Sequence, residues 1–201
     1  MISSLTADKL TLMRGDRTLF SGLSFRVSAG QALALEGPNG SGKTSLLRLI
    51  AGFLTPQAGQ LALRVDGRDI SDGEERGGFI GWLAHQDALK PQLTVAEQLG
   101  FFARLFRSPS DPAALLDEVG LARQADLPCR YLSAGQKRRL ALARLLASGR
   151  PLWLLDEPFA ALDAAGQDLV ARLMLLHCGA GGIVIAATHD PLGLSNASLR
   201  L

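Results

Sequence analysis

The sequence predicts an α/β protein with a mixed-sheet core, an antiparallel N-terminal β part and an inserted, mainly helical subdomain. Three observations carry this. Short alternating apolar runs fill the stretch up to Val27, and a glycine-rich loop joins an apolar run to a helical pattern over residues 32–50. The apolar period then turns helical after Gln86 and returns to strand-like runs beyond Arg150. One domain spanning 1–201 is expected, with 1–86 and 150–201 as the α/β core and 87–149 as the helical subdomain. A chain of 201 residues, 47% hydrophobic and 20% charged, can bury a substantial core.

Leu10-Thr11-Leu12, Thr18-Leu19-Phe20 and Leu23-Ser24-Phe25-Arg26-Val27 alternate and are broken at Arg14-Gly15-Asp16 and Ser21-Gly22, so they read as antiparallel strands. Ala32-Leu33-Ala34-Leu35 is a buried strand. After it, Gly37-Pro38-Asn39-Gly40-Ser41-Gly42-Lys43-Thr44 has the G-x-x-x-x-G-K-T pattern of a phosphate-binding loop opening a helix over Ser45–Ile50. Its glycines allow successive amides to face phosphate oxygens at a helix N-terminus. Lys43 would reach the β- and γ-phosphates and the Thr44 hydroxyl would hold Mg²⁺. Strand, loop and helix together predict a P-loop NTPase fold that binds a nucleotide with Mg²⁺.

Gly59 to Val65 reads as a strand with Asp66-Gly67 as its turn, and Phe79 to Ala84 as a further buried strand. Val95, Leu99, Phe102 and Phe106 then recur at helical spacing. Leu115, Leu116 and Val119 follow the Ser108–Pro112 break, and Ser133 opens a helix to about Ala147. Phe101, Phe102 and Phe106 are expected in the core of this subdomain, with one of them available as a docking surface. Leu152-Trp153-Leu154-Leu155 is a buried strand ending in Asp156-Glu157, a helix spans about Ala164 to His177, and Gly182 to Ala187 is the next strand.

The Asp-Glu pair after four apolar residues is a Walker B pattern. Asp156, at the carboxyl end of a parallel strand, would complete the Mg²⁺ shell with Thr44. The alternation of the strand is expected to send Glu157 in another direction, toward the attacking water.

Just ahead of that strand, Leu132-Ser133-Ala134-Gly135-Gln136 resembles the LSGGQ signature of ATP-binding cassette (ABC) ATPases. The resemblance implies that Ser133, Gly135 and Gln136 cover the nucleotide of an opposite subunit, so that two copies close head-to-tail on two ATP molecules. It also matches Gln86 to the Q-loop glutamine, a Mg²⁺ and water contact that senses the partner. Ala161-Leu162-Asp163 matches the D-loop, and His189 in Ala187-Thr188-His189-Asp190 the switch histidine that touches the γ-phosphate. The implied catalytic set is Glu157, His189, Gln86 and Lys43, and the implied Mg²⁺ set Thr44, Gln86 and Asp156. Two positions depart from the pattern. Ala134 replaces a glycine, a methyl group that a helix start tolerates. Arg14 stands where an aromatic residue commonly stacks on adenine, and a guanidinium can also stack on a base.

The compact length, the stretch Leu83 to Lys90 with Leu93-Thr94 and Glu97, the signature running into Arg138-Arg139, and Pro151 to Phe159 are similar to the ATP-binding subunits of bacterial cytochrome c biogenesis. That resemblance implies ATP hydrolysis at the cytoplasmic face of the inner membrane by a peripheral subunit, coupled through membrane-spanning permease subunits to heme handling. ATPases of other small-molecule, lipid or drug exporters share every catalytic motif and stay open. A soluble ABC ATPase of DNA repair or translation typically adds a coiled coil, a zinc module or a second cassette, and no such pattern is present. A regulatory module without turnover is disfavoured by the intact Glu157.

Composition narrows the rest. A net charge of +2 from 21 basic and 19 acidic residues gives no dense cationic face, so no nucleic acid partner is expected. No apolar run approaches the roughly 18 residues of a membrane span. The N-terminus lacks the pattern of a signal peptide. Neither Cys129 and Cys178 nor His85, His177 and His189 have metal-ligand spacing.

Overall fold

The computed structural model describes residues 1–188 and 197–201. β1 (Ile2–Arg14) and β2 (Arg17–Ser28) form a long antiparallel hairpin. Ser21-Gly22, expected to break a strand, lies inside β2. Leu10 pairs Leu23 while Leu12 pairs Phe20, so β2 absorbs one extra residue as a bulge and continues the ladder. β3 (Ala32–Glu36) leads through the glycine-rich loop into α1 (Lys43–Ile50). β4 (Ala58–Val65) and β5 (Arg68–Ile70) turn at Asp66-Gly67, whose φ values of 49° and 78° suit a two-residue hairpin turn.

α2 (Gly73–Gly77), which the sequence reading did not anticipate, precedes β6 (Ile80–Leu83). α3 (Val95–Phe106), α4 (Pro112–Glu118) and α5 (Ala134–Ala147) follow. The last elements are β7 (Leu152–Asp156), α6 (Ala164–Gly179), β8 (Ile183–Ala187) and β9 (Ala197–Arg200). β9 was likewise unanticipated. The helix starts are fixed by side-chain caps: Thr94 and Ser133 each form a reciprocal capping box, and Asp111 and Asp163 accept from Ala113 and Gly166 amides.

The strands make two sheets. One is antiparallel in the order β2-β1-β4-β5, the other parallel in the order β6-β7-β8-β3-β9. Alternation along the parallel strands divides the core. Leu33, Leu35, Leu152, Leu154, Ile183 and Ile185 face α1 and the antiparallel sheet, whereas Ala32, Ala34, Trp153, Leu155, Val184 and Ala186 face the helical side. Leu46, Leu47, Leu49 and Ile50 are wholly buried and anchor α1, each side chain contributing roughly 1.5–3 kcal/mol.

The three phenylalanines of α3 are not core. Its buried stripe is Val95, Gln98, Leu99 and Ala103, while Phe101 is 46% exposed. Phe102 and Phe106 sit half-buried at the edge of the stripe, stacked on each other at 5.8 Å. The Arg144 guanidinium, 5.0 Å from the Phe102 ring, covers that edge instead of an apolar partner.

Candidate functional site

The glycine-rich loop leaves β3, which lies between β8 and β9, and turns directly into α1. Gly42, at φ 111°, is the left-handed residue that starts the helix. Gly37, at φ 145°, is packed so closely that a Cβ there would lie 2.7 Å from the Leu201 carbonyl. Lys43 folds back over the loop and donates to the carbonyls of Gly37 at 2.7 Å and Pro38 at 3.3 Å. The side chain is buried and thus held at the mouth of the helix.

Thr44 is the next residue of α1, and its hydroxyl lies 3.1 Å from both carboxylate oxygens of Asp156. The two come from elements 112 positions apart in the chain and meet because β7 and β3 both flank β8. A hydroxyl and a carboxylate are the hard oxygen donors that suit Mg²⁺. Asp156 is buried, and the arginine Arg138 donates to its carbonyl at 2.8 Å.

Glu157 is aimed by the backbone and not by strand alternation, which corrects the expectation from the sequence. It lies just past the end of β7 at φ 49°, a left-handed angle unusual for glutamate. Its amide donates to Ala187 at 2.9 Å and its carbonyl accepts from Arg138 at 2.6 Å.

Lys43, Thr44, Asp156 and Glu157 line one cleft of about 1020 Å³ together with Pro38, Asn39, Gly40, Gly42, Gln86 and Arg14. Gly37 and Ser41 complete the loop beneath, the Ser41 hydroxyl being one of the buried polar atoms without a hydrogen-bond partner among the described residues. Sequence reasoning missed several members of the rim: Arg17, Arg48, Phe53 and Trp82 also line the cleft. Arg17 pairs opposite Arg14 across the hairpin turn and approaches the Gly40 carbonyl at 3.5 Å. That arginine pair was legible in Arg14-Gly15-Asp16-Arg17 once a tight turn is assumed. Phe53 and Trp82 meet edge to face at 5.7 Å, a contact between distant segments that only the fold reveals. His189 lies outside the described residues.

Ser133, Gly135 and Gln136 do not reach this cleft. They line a second hollow of about 360 Å³ with Gly120, Leu121, Arg139, Ala161 and Asp163. The Ser133 hydroxyl accepts from the Gln136 amide at 3.2 Å, and the Gln136 side chain accepts from the Ser133 amide at 2.9 Å. Ala134 is exposed at the first turn, as a tolerated methyl group should be. Asp163 caps α6, and the Gly166 amide first, then Arg139, holds its carboxyl below the usual carboxylate range. Among the described residues no group of three or more His, Cys, Asp or Glu is placed to hold a metal, and no helix is long and apolar enough to cross a membrane.

Comparison with known proteins gives a consistent picture. The family description "ABC transporter" matches residues 20–160. The cytochrome c biogenesis ATP-binding export protein CcmA of Rhodopseudomonas palustris (strain BisB5) is 50% identical over 198 residues, covering 98% of this chain and 97% of that protein. A putative ABC transporter ATP-binding protein from Pyrococcus furiosus superposes with a TM-score of 0.84 at 24% identity, covering 99% of this chain and 98% of the other. A bacterial Atm1-family ABC exporter with ATP bound also reaches 0.84 at 25% identity, covering 100% of this chain and 37% of the other.

Proposed function

The chain belongs to the ABC transporter ATPases and, within them, to the cytochrome c biogenesis ATP-binding export proteins, and from that premise we propose how its residues divide the work. It is the ATP-hydrolysing subunit of an export complex that serves heme handling for c-type cytochromes. The ATP-hydrolysing part of this reading is carried by the meeting of Lys43, Thr44 and Asp156 at the mouth of α1, and the heme-handling part by the likeness to the cytochrome c biogenesis export proteins.

Loop amides from Gly37 to Gly42 and the Lys43 ammonium bind the phosphates. Thr44 and Asp156 would hold Mg²⁺, with Gln86 as a further contact, and the ion would supply positive charge to the phosphate oxygens. Glu157 orients the attacking water and takes its proton, with its direction fixed by the left-handed turn after β7. His189 contacts the γ-phosphate. Arg14, with Arg17 beside it, supplies a guanidinium face for the base in place of an aromatic ring.

Ser133, Gly135 and Gln136 serve the nucleotide of a second copy in a head-to-tail dimer, because within one chain they line a different hollow. The helical subdomain of residues 87–149 docks membrane-spanning permease subunits, with exposed Phe101 and Leu105 on its surface. The protein then sits at the cytoplasmic face of the inner membrane as a peripheral subunit.

The experiment is covalent heme staining of c-type cytochromes in a bacterium whose only copy of this gene carries Lys43→Ala. Staining should be lost with the variant protein at normal level. Normal staining would instead point to an ATPase of another small exporter.

A further inference from the structure

Arg138 occupies a position to which the mechanism above gives no part. It projects from the second turn of α5, the helix that Ser133 caps, yet only 3% of it is exposed. Its guanidinium spreads over four acceptors in two groups. Nη1 donates to the Ala84 carbonyl at 2.7 Å and to the Asp87 carboxylate at 3.1 Å. Nη2 donates to the carbonyls of Asp156 at 2.8 Å and Glu157 at 2.6 Å.

One terminal nitrogen therefore holds residues on either side of Gln86, and the other holds the backbone carbonyls of the two residues that carry the carboxylate pair. A planar fork can do this and an ammonium cannot, since the two directions are fixed at once. Asp87 is tied to the same helix a second time, its carbonyl accepting from Arg144 at 3.0 Å. The Glu157 carbonyl is gripped at the residue whose backbone is left-handed, where a loosened turn would swing the carboxylate most.

We propose that Arg138 is a positioning residue for ATP hydrolysis, linking the segment around Gln86 to the backbone of Asp156 and Glu157 so that displacement of one is passed to the other. The inference rests on the reading of Glu157 as the base and Gln86 as a contact of the nucleotide site. Its chemistry is mechanical: the guanidinium carries no proton in the reaction and touches no substrate.

The test compares Arg138→Lys, Asp87→Asn and the double variant in the full chain, measuring melting temperature, ATP KM and kcat. Arg138→Lys keeps the charge and the buried stem while losing the fork. It should lower kcat by about tenfold or more with KM within about twofold, because misplacement of catalytic groups acts on the chemical step. Asp87→Asn should lower kcat about threefold, and the double variant should match Arg138→Lys alone rather than multiply the two losses.

Wild-type kcat in Arg138→Lys, or kcat and KM worsening by the same factor, would overturn the proposal. So would independent, multiplicative effects. If Arg138→Lys does not fold, Asp87→Asn decides alone, and an unchanged kcat there rejects the linkage. Glu157→Gln separates the two readings. Should it retain turnover, the assignment of the base fails. Should it stop turnover while Arg138→Lys and Asp87→Asn do not slow it, only the positioning role fails.

Discussion

The cleft at Lys43 and the hollow at Ser133 both lie at helix N-termini, where backbone amides favour phosphate, but their surroundings differ. Around the first, a buried cation, a hydroxyl and two carboxylates converge from α1, from β7 and from the residue just past it. Around the second, the serine and glutamine are engaged in capping their own helix, and the nearest carboxylate, Asp163, caps another. The first collects the groups that chemistry on a triphosphate requires. The second offers a polar face that, on the reading proposed above, completes a site when a second copy is laid against it. That asymmetry is the physical argument for pairing the hollow of one copy with the cleft of another.

The largest expected effect breaks the cleft alone. Glu157→Gln keeps the shape of the side chain and removes the base, so turnover should fall about 100-fold or more while ATP binding persists. Equilibrium binding of labelled ATP beside steady-state phosphate release checks both halves of that statement. An unchanged rate would reject Glu157 as the base.

The next effect separates the two functions of Ser133. Ser133→Ala removes the capping oxygen and should cost about 1 kcal/mol of stability, read as a lower melting temperature. Ser133→Arg additionally fills the hollow. It should stop turnover while leaving ATP bound in the chain's own cleft. If it also abolished ATP binding, the hollow and the cleft would belong to one site.

A smaller effect concerns the rim. Arg14→Ala should weaken ATP binding by about threefold to tenfold if the guanidinium stacks on the base, and Arg14→Tyr should restore it. Equal loss in both variants would assign Arg14 to charge rather than stacking.

The smallest effect lies outside the cleft lining, where His177 stacks on Trp153 of β7 at 3.9 Å and its Nε2 meets the Pro151 carbonyl at 3.1 Å. Burial pushes this imidazole below its ordinary value, against the backbone hydrogen bonds, which raise it. The unfolded chain then binds the proton more readily, so this contribution is present at neutral pH and is lost as pH falls below about 6.5. The melting temperature of His177→Gln should therefore decline less between pH 7 and pH 5.5 than that of the native chain. Parallel declines would show that His177 does not titrate in this window.

The sequence made the cleft more legible than its supports. Lys43, Thr44 and Asp156 stand in patterns whose spacing states their chemistry, and Ser133 reads directly as the start of a helix. Asp66-Gly67 also announced its hairpin turn. Contacts between distant segments left no such trace. The bulge at Ser21-Gly22 looks like a strand break until a partner strand is present. The direction of Glu157 depends on a left-handed angle that no residue preference indicates. Arg138 resembles any helix-surface arginine until Ala84, just past β6, and Asp156 of β7 bring their carbonyls to it. Phe102 has the right helical phase for a core, and only the facing Arg144 explains why it stays at the edge.

The measurement that tests the pairing of the two regions most directly is ATP hydrolysis by mixed subunits. Lys43→Ala disables the cleft and Ser133→Arg the hollow, so each variant alone should be inactive. Combined in equal amounts under conditions that exchange subunits, half the dimers would carry one intact cleft facing one intact hollow, and activity should return to about a quarter of the native rate. No recovery in demonstrably mixed dimers would contradict a site shared between two copies.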